Sequence, residues 1–257
     1  MKGLLLINLG SPDSTSIPDV KKYLDEFLMD KRVIGKSYLF RWILVKLIIL
    51  NFRPKKSAKA YKKIWWKEGS PLIVLSQRLF KKISKILNVH VSLAMRYGSM
   101  SILKGLTELN NKGVHDIVVL PLYPHYAMSS YETVVEKVKE ETKKNFPKIN
   151  ISFIDPFYND PDYIKLLSKK IKDSIKNIDY DHILFSYHGI PVSHLKISDP
   201  TKKHCYKINN CCSVQSDAHK TCYKHQVIVT TELVAKNLSL DENKFSVSFQ
   251  SRLANEP

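Results

Sequence analysis

"ILFSYHGIPVSHLKISDP", residues 183–200, opens as an apolar run with no Asp, Glu, Lys or Arg before Lys196, and it stops reading as a strand at His188-Gly189, with Pro191 just beyond. Such a run suits the inside of a sheet. Its end suits chemistry, because open α/β sheets gather ligands beyond the carboxyl ends of their strands. A histidine there is a candidate base. It is also, more commonly, a hydrogen-bonded turn residue, and the rest of the chain has to decide between the two.

Working outward, the same grammar repeats as strand, loop, helix. Strand-like runs stand at 3–9, 89–95, 116–120, 149–154, 182–187 and 245–249, with helical periods at 20–29, 37–51, 55–66, 70–87, 100–111, 130–144, 161–177 and 224–237. Strands without clean alternation, separated by helices, predict an α/β protein with parallel sheets covered on both faces. Pro156 and Pro161 interrupt the pattern, which divides the chain into domains at 1–154 and 155–257. Four loops then follow strands: "NLGSPD" (8–13), "MRYGSM" (95–100), "PLYPHYAMSS" (121–130) and "SYHGIP" (186–191). They carry aromatics, one cation (Arg96), hydroxyls and the strand-end histidine. A single Gly in "NLGSPDS" excludes a dinucleotide fingerprint and a P-loop. The implied ligand is flat, apolar and edged with acid. Ser129 and Ser130 read as N-cap residues of the helix at 130–144.

The 257 residues are 44% hydrophobic and carry a formal charge of +17. Only six of the 41 basic residues are Arg, and the Lys are scattered over helix faces without an aromatic platform, so no nucleic-acid partner is implied. The start "MKGLLLINLGSPDS" breaks too early for a secretory core. The run "YLFRWILVKLIILNF" (38–52) is too short to span a bilayer and contains Arg41 and Lys46, which leaves a buried helix or an interfacial one. A cytoplasmic protein is expected, with peripheral contact at the inner face of the membrane open to it.

All four cysteines, Cys205, Cys211, Cys212 and Cys222, fall within "HCYKINNCCSVQSDAHKTCYKHQ". Neighbouring cysteines pair only under strain, and four local thiolates are the ligand set of zinc or an iron–sulfur cluster. His204, His219 and His225 flank them and could replace one.

Several ordered motifs make the chain resemble the ferrochelatases: "LLLINLGSPDS", "VKKYLDEFLMDKRVI", "EGSPLIVLSQ" (68–77), "AMRYGSMSI" (94–102), "LPLYPHYAMSS" (120–130), "FSYHGIP" (185–191) and "SFQSRL" (248–253). The resemblance implies two similar Rossmann-like domains of chelatase type with a porphyrin cleft between them, and insertion of ferrous iron into protoporphyrin IX to form haem. It carries the catalytic role onto His188, as base or as the residue that passes on the ferrous iron, and porphyrin contacts onto Leu9, Arg96, Tyr97 and Tyr123. The cysteine stretch (204–225) looks like the insert in which some bacterial members hold a 2Fe–2S cluster. Residues 38–52 fall where the family has an apolar lip that can touch the membrane. The chain ends at "SRLANEP", where the family is expected to continue, so the second domain reads as truncated and lacks the facing glutamate. The alternatives are a chelatase for another metal or for coproporphyrin, and an inactive haem or iron–sulfur binding remnant.

Overall fold

The computed structural model describes residues 1–251. The chain forms two compact units: Met1–Leu122 with Ser129–Asp155, and Tyr123–Met128 with the chain from Pro156 on. The excursion of Tyr123–Met128 into the second unit has no counterpart in the sequence pattern.

The first unit runs β1 (Lys2–Gly10), α1 (Ile17–Leu28), α2 (Tyr38–Trp42), α3 (Leu50–Ile64), α4 (Pro71–Ile86), β2 (His90–Tyr97), α5 (Ile102–Asn111), β3 (Asp116–Pro121), α6 (Thr133–Asn145) and β4 (Asn150–Phe153). Its sheet has the order β2-β1-β3-β4, and every pair is parallel. Leu5, Leu6 and Ile7 are consecutive and fully buried, so both faces of β1 are covered. That is why the strand reads as a continuous apolar run. Helix α5 lies close on the sheet because position 105 is glycine: a Cβ there would stand 2.9 Å from Leu5 Cδ1 and 3.1 Å from Ala94 Cβ.

Helix starts follow local chemistry. Ser16 accepts from the Asp19 amide at 3.2 Å and Ser101 from the Lys104 amide at 3.3 Å. The expected capping by Ser129 and Ser130 is not found. Both lie inside a π-helical turn, Met128–Glu132, and α6 begins only at Thr133, after Glu132, whose side chain makes no cap bond. Residues 38–64, expected as two helices, form one helical run: α2, a π-helical stretch Ile43–Ile49, then α3. Pro54 sits within α3. It cannot donate to the Leu50 carbonyl, and the wide turns directly upstream absorb that defect.

The second unit contains α7 (Pro161–Ile175), β5 (Ile183–His188), α8 (Val192–Ser198), α9 (Tyr223–Asn237) and β6 (Phe245–Gln250). Asp160 caps α7, accepting from the Asp162 and Tyr163 amides at 3.1 and 2.9 Å. β5 and β6 pair in parallel, from Ile183 opposite Phe245 to His188 opposite Gln250. Helix α8 was not expected, since seven residues are too few to show a helical period. Arg252 and Leu253 of the "SFQSRL" motif lie outside the described residues.

Gly10 ends β1 at φ 110°, and a Cβ there would stand 2.0 Å from the Tyr97 carbonyl oxygen. Both conformation and space exclude a side chain. Gly10→Ala should therefore lower stability by about 3 kcal/mol or more, beyond the usual ~1–3 kcal/mol for a strained backbone alone. Urea unfolding checks this, and an unchanged midpoint would contradict it.

Candidate active site and four-cysteine insert

Two of the loops singled out by sequence meet within the first unit, together with the start of the "EGSPLIVLSQ" motif. Ser11, Pro12 and Asp13, Glu68, Gly69 and Ser70, and Ser99 and Met100 line one cavity of about 200 Å³. Leu9 is half-buried at the end of β1. Arg96 and Tyr97 close β2, and both turn toward Asp30. The Asp30 carboxylate accepts from Arg96 Nη2 at 2.5 Å, the Tyr97 hydroxyl at 2.9 Å and Thr133 Oγ1 at 2.5 Å. Arg96 Nε donates to Thr133, and the guanidinium lies 4.3 Å from the Tyr97 ring centroid. Burial pushes the Asp30 carboxyl up, but Thr133, the Arg32 amide and Arg96 outweigh it and hold it below its ordinary value. Burial raises the Tyr97 phenol.

This geometry places both residues against partners inside the first unit. Tyr97 is 1% exposed, packs edge-on against Phe27 and borders the cavity. The Arg96 charge, expected to face an acid on the ligand, is paired inside the fold with Asp30.

In the second unit, β5 exposes alternate residues and ends with the His188 imidazole in the open. The strand end is held from behind. Gly189 donates to the Gln250 carbonyl at 2.6 Å. The Tyr187 hydroxyl meets Thr231 Oγ1 at 2.8 Å, and the Tyr223 hydroxyl is hydrogen-bonded by the His188 main chain. His125 packs edge-on to both rings, 5.8 Å from Tyr187 and 5.9 Å from Tyr223. Burial lowers His125 to about 4, so it is neutral at physiological pH. Thr230 Oγ1 gives its one proton to the Tyr158 carbonyl at 2.7 Å, and so must accept from His125 Nε2 at 2.9 Å. Burial also raises Tyr223 to about 12. The main chain at His188 is thus held by a buried group of aromatic side chains. Tyr123 is half-buried at the start of the segment that carries His125.

The insert is built around main-chain bonds. Burial pushes the Asp199 carboxyl up, yet four donors hold it far below its ordinary value: the amides of Cys205, His204 and Thr201, and the Thr201 hydroxyl, all at 2.7–2.9 Å. Three imidazoles secure the adjacent cysteines. His204 and His219 donate to the Cys211 carbonyl at 2.7 and 3.0 Å, and His225 Nδ1 donates to that of Cys212 at 2.8 Å. The histidines that flank the cysteines therefore hold backbone. Cys205, Cys211 and Cys222 are buried and Cys212 is half-buried. Cys212 and Cys205 donate to the Cys222 sulfur. Those bonds, that from Cys212 foremost, bring Cys222 down to about 6 against burial. Burial, followed by the Cys222 charge, pushes Cys205 up to about 12, and the bond to Cys222 raises Cys212. Among the described residues no three His, Cys, Asp or Glu converge as a single-metal site.

Sequence reasoning missed Asp30, His125, Asp199 and Gln226. None sits in a spacing pattern. Gln226, for example, meets a partner 100 positions away.

A family model described as ferrochelatase matches residues 1–257. Relatives named ferrochelatase include one from Opitutus terrae, 48% identical across 100% of this chain and 75% of the relative. Others come from Pseudomonas fluorescens, 44% identical over 97% and 73%, and Coxiella burnetii, 42% identical over 98% and 70%. Among solved structures, "SirB from Bacillus subtilis with Fe3+" superposes with a TM-score of 0.52 at 13% identity, over 99% of this chain and 68% of that one, a likeness of fold alone. The matched span and the identity of these relatives establish that this chain belongs to the ferrochelatase family.

Proposed function

We infer that this chain inserts ferrous iron into a porphyrin to form haem, and that His188 accepts a pyrrole proton or passes on the metal. One observation supports the residue assignment: an exposed histidine at a strand end whose main chain is held by Gln250 and Tyr223. The reaction replaces two pyrrole N–H protons by Fe2+. Both protons leave, no electron moves and the iron stays ferrous. Imidazole as a class both takes protons near neutrality and ligates metals. Leu9 and Tyr123, both half-buried, are proposed as macrocycle contacts on the family resemblance. Arg96 and Tyr97 are proposed to act by shaping the loop around Asp30.

His188→Ala should cut anaerobic iron insertion by the ~10²–10⁴ usual for a lost general base. Porphyrin affinity, read by fluorescence quenching, should move less than ~3-fold, because broad apolar contact holds the macrocycle. Near-normal turnover in that variant would return His188 to a turn residue.

We also propose that Cys205, Cys211, Cys212 and Cys222 hold a 2Fe–2S cluster. The donor set supports this. A two-iron cluster takes two thiolates at each iron, so it needs no three donors on one point. Three of the four sulfurs are buried and the fourth is half-buried, and four thiolates gathered there would call for a cation among them. Lys202, Tyr206 and Asn210 adopt left-handed conformations, each costing of order 1–2 kcal/mol, which a bound cluster would offset. When bound, the cluster cross-links the insert, and the redox-neutral reaction needs no electron from it. Anaerobically purified protein should contain about two irons and acid-labile sulfide per chain, both lost in Cys212→Ser. Stoichiometric zinc without sulfide would refute the cluster.

Membrane contact through residues 38–52 is a third proposal. No described helix is long and apolar enough to cross a membrane. Tyr38, Leu39, Phe40, Leu47, Ile48 and Phe52 all point outward, Phe52 at 78% exposure. The two cations of the run turn inward: Arg41 is 8% exposed and donates to the Lys36 carbonyl, and Lys46 pairs with Asp25 at 2.5 Å. Apolar insertion, not these two charges, should therefore drive binding. The double substitution Phe40→Glu with Phe52→Glu should weaken binding to lipid vesicles by ~10²-fold or more, from the loss of two buried aromatic side chains. Unchanged binding would remove this lip from any membrane role.

A further inference from the structure

Gln226 stands in the first turn of α9 and is fully buried. None of its side-chain bonds serves its own helix. Its Oε1 accepts from the Tyr126 amide at 2.7 Å. Its Nε2 donates to the carbonyls of His219 and Lys220 at 3.1 and 2.9 Å. The orientation is fixed by the partners, since a backbone N–H can only donate and carbonyls can only accept. One amide therefore joins two segments distant in sequence: Tyr123–Met128 and the 3-10 turn Asp217–Thr221 of the cysteine insert.

Each end of this bridge leads somewhere. The His219 imidazole donates to the Cys211 carbonyl and stacks on His225 at 3.6 Å, and His225 holds the Cys212 carbonyl. Tyr126 follows His125, which packs on Tyr187, the residue before His188. One turn along α9, Thr230 also fastens the segment, through His125 at 2.9 Å, but its other bond goes to Tyr158 and not to the insert. The His125 ring also packs on Tyr223, which lies against the buried cluster of Cys205, Ala218 and Cys222. Of the two hydrogen-bonded ties to α9, the one through Gln226 is shared with the insert. Such a side chain cannot relax at one end without losing buried bonds at the other.

We propose that Gln226 is a positioning residue that couples the order of the four-cysteine insert to the order of Tyr123–Met128. Loosening the insert frees the Tyr126 amide and shifts the Tyr123 ring. The consequence for porphyrin rests on the proposed contact at Tyr123; the coupling itself does not.

The test is a double-mutant cycle on the full chain, read by hydrogen exchange at the Tyr126 amide. Asp199→Ala loosens the insert from its far side, with or without any metal bound. It should speed Tyr126 exchange ~10-fold in the otherwise unaltered protein and less than ~2-fold when combined with Gln226→Met, which is close in shape but lacks both polar atoms. Thr230→Val should speed exchange and leave the response to Asp199→Ala intact. Equal responses with and without Gln226, or no response at all, would overturn the coupling. If Gln226→Met fails to fold, Gln226→Glu keeps the acceptor for Tyr126 and replaces the donor amide, and the same attenuation is expected. Porphyrin quenching on the same proteins separates the two readings. Coupled exchange with an affinity that moves less than ~2-fold would uphold the bridge and remove Tyr123 from the porphyrin site.

Discussion

A main-chain amide or carbonyl taken from water must find a partner, and in this chain a few buried polar side chains meet that demand where the sheets cannot. Parallel strands satisfy their own backbone, but the loops at their ends and the cysteine insert are irregular. Asp199 gathers the amides of Thr201, His204 and Cys205. Gln226 binds main chain on two segments at once. Asp30 ties the ends of α1 and β2 to the start of α6 through Arg96, Tyr97 and Thr133. Remove these side chains and the strands would remain, while the loops that carry the chemistry would have no fixed shape.

The same economy governs charge. A guanidinium or ammonium near the core has to be paired, and Arg96, Arg41 and Lys46 each find an acceptor within the fold. Within residues 38–52 Arg41 is buried with Val45 and Leu50, while Tyr38, Leu39, Phe40, Leu47, Ile48 and Phe52 are exposed. At the strand end the logic is opposite. Burial keeps His125 neutral and raises the Tyr187 and Tyr223 phenols further, while His188 at the strand end is exposed. A porphyrin is apolar on its faces, and an exposed imidazole at a strand end suits a reaction whose only proton traffic is outward from the macrocycle.

Much of the fold was legible in the chain itself. The unbroken apolar run Leu4–Ile7 marks a parallel strand covered on both faces, because burial of both faces leaves no room for polar alternation. The run that ends at His188 also forms a parallel strand, but with alternate residues exposed. Ordered motifs around those strand ends identify the family, and the clustering of four cysteines within one short stretch marks the insert. These are properties of nearest neighbours along the chain, where spacing translates directly into geometry.

Partnership across long separations was decided only by the tertiary structure. Arg96 and Tyr97 look like ligand contacts in sequence and both bond to Asp30, 66 and 67 positions away. The flanking histidines look like metal ligands and instead hold the carbonyls of Cys211 and Cys212. Tyr123–Met128 reads as a loop of the first domain and is claimed by the second, through bonds from Gln226 and Thr230. The physical reason is common to all three. A strand or helix is specified by local periodicity, whereas the partner of a single polar side chain is whichever group packing brings within about 3 Å, and nothing in the order of residues along the chain encodes that.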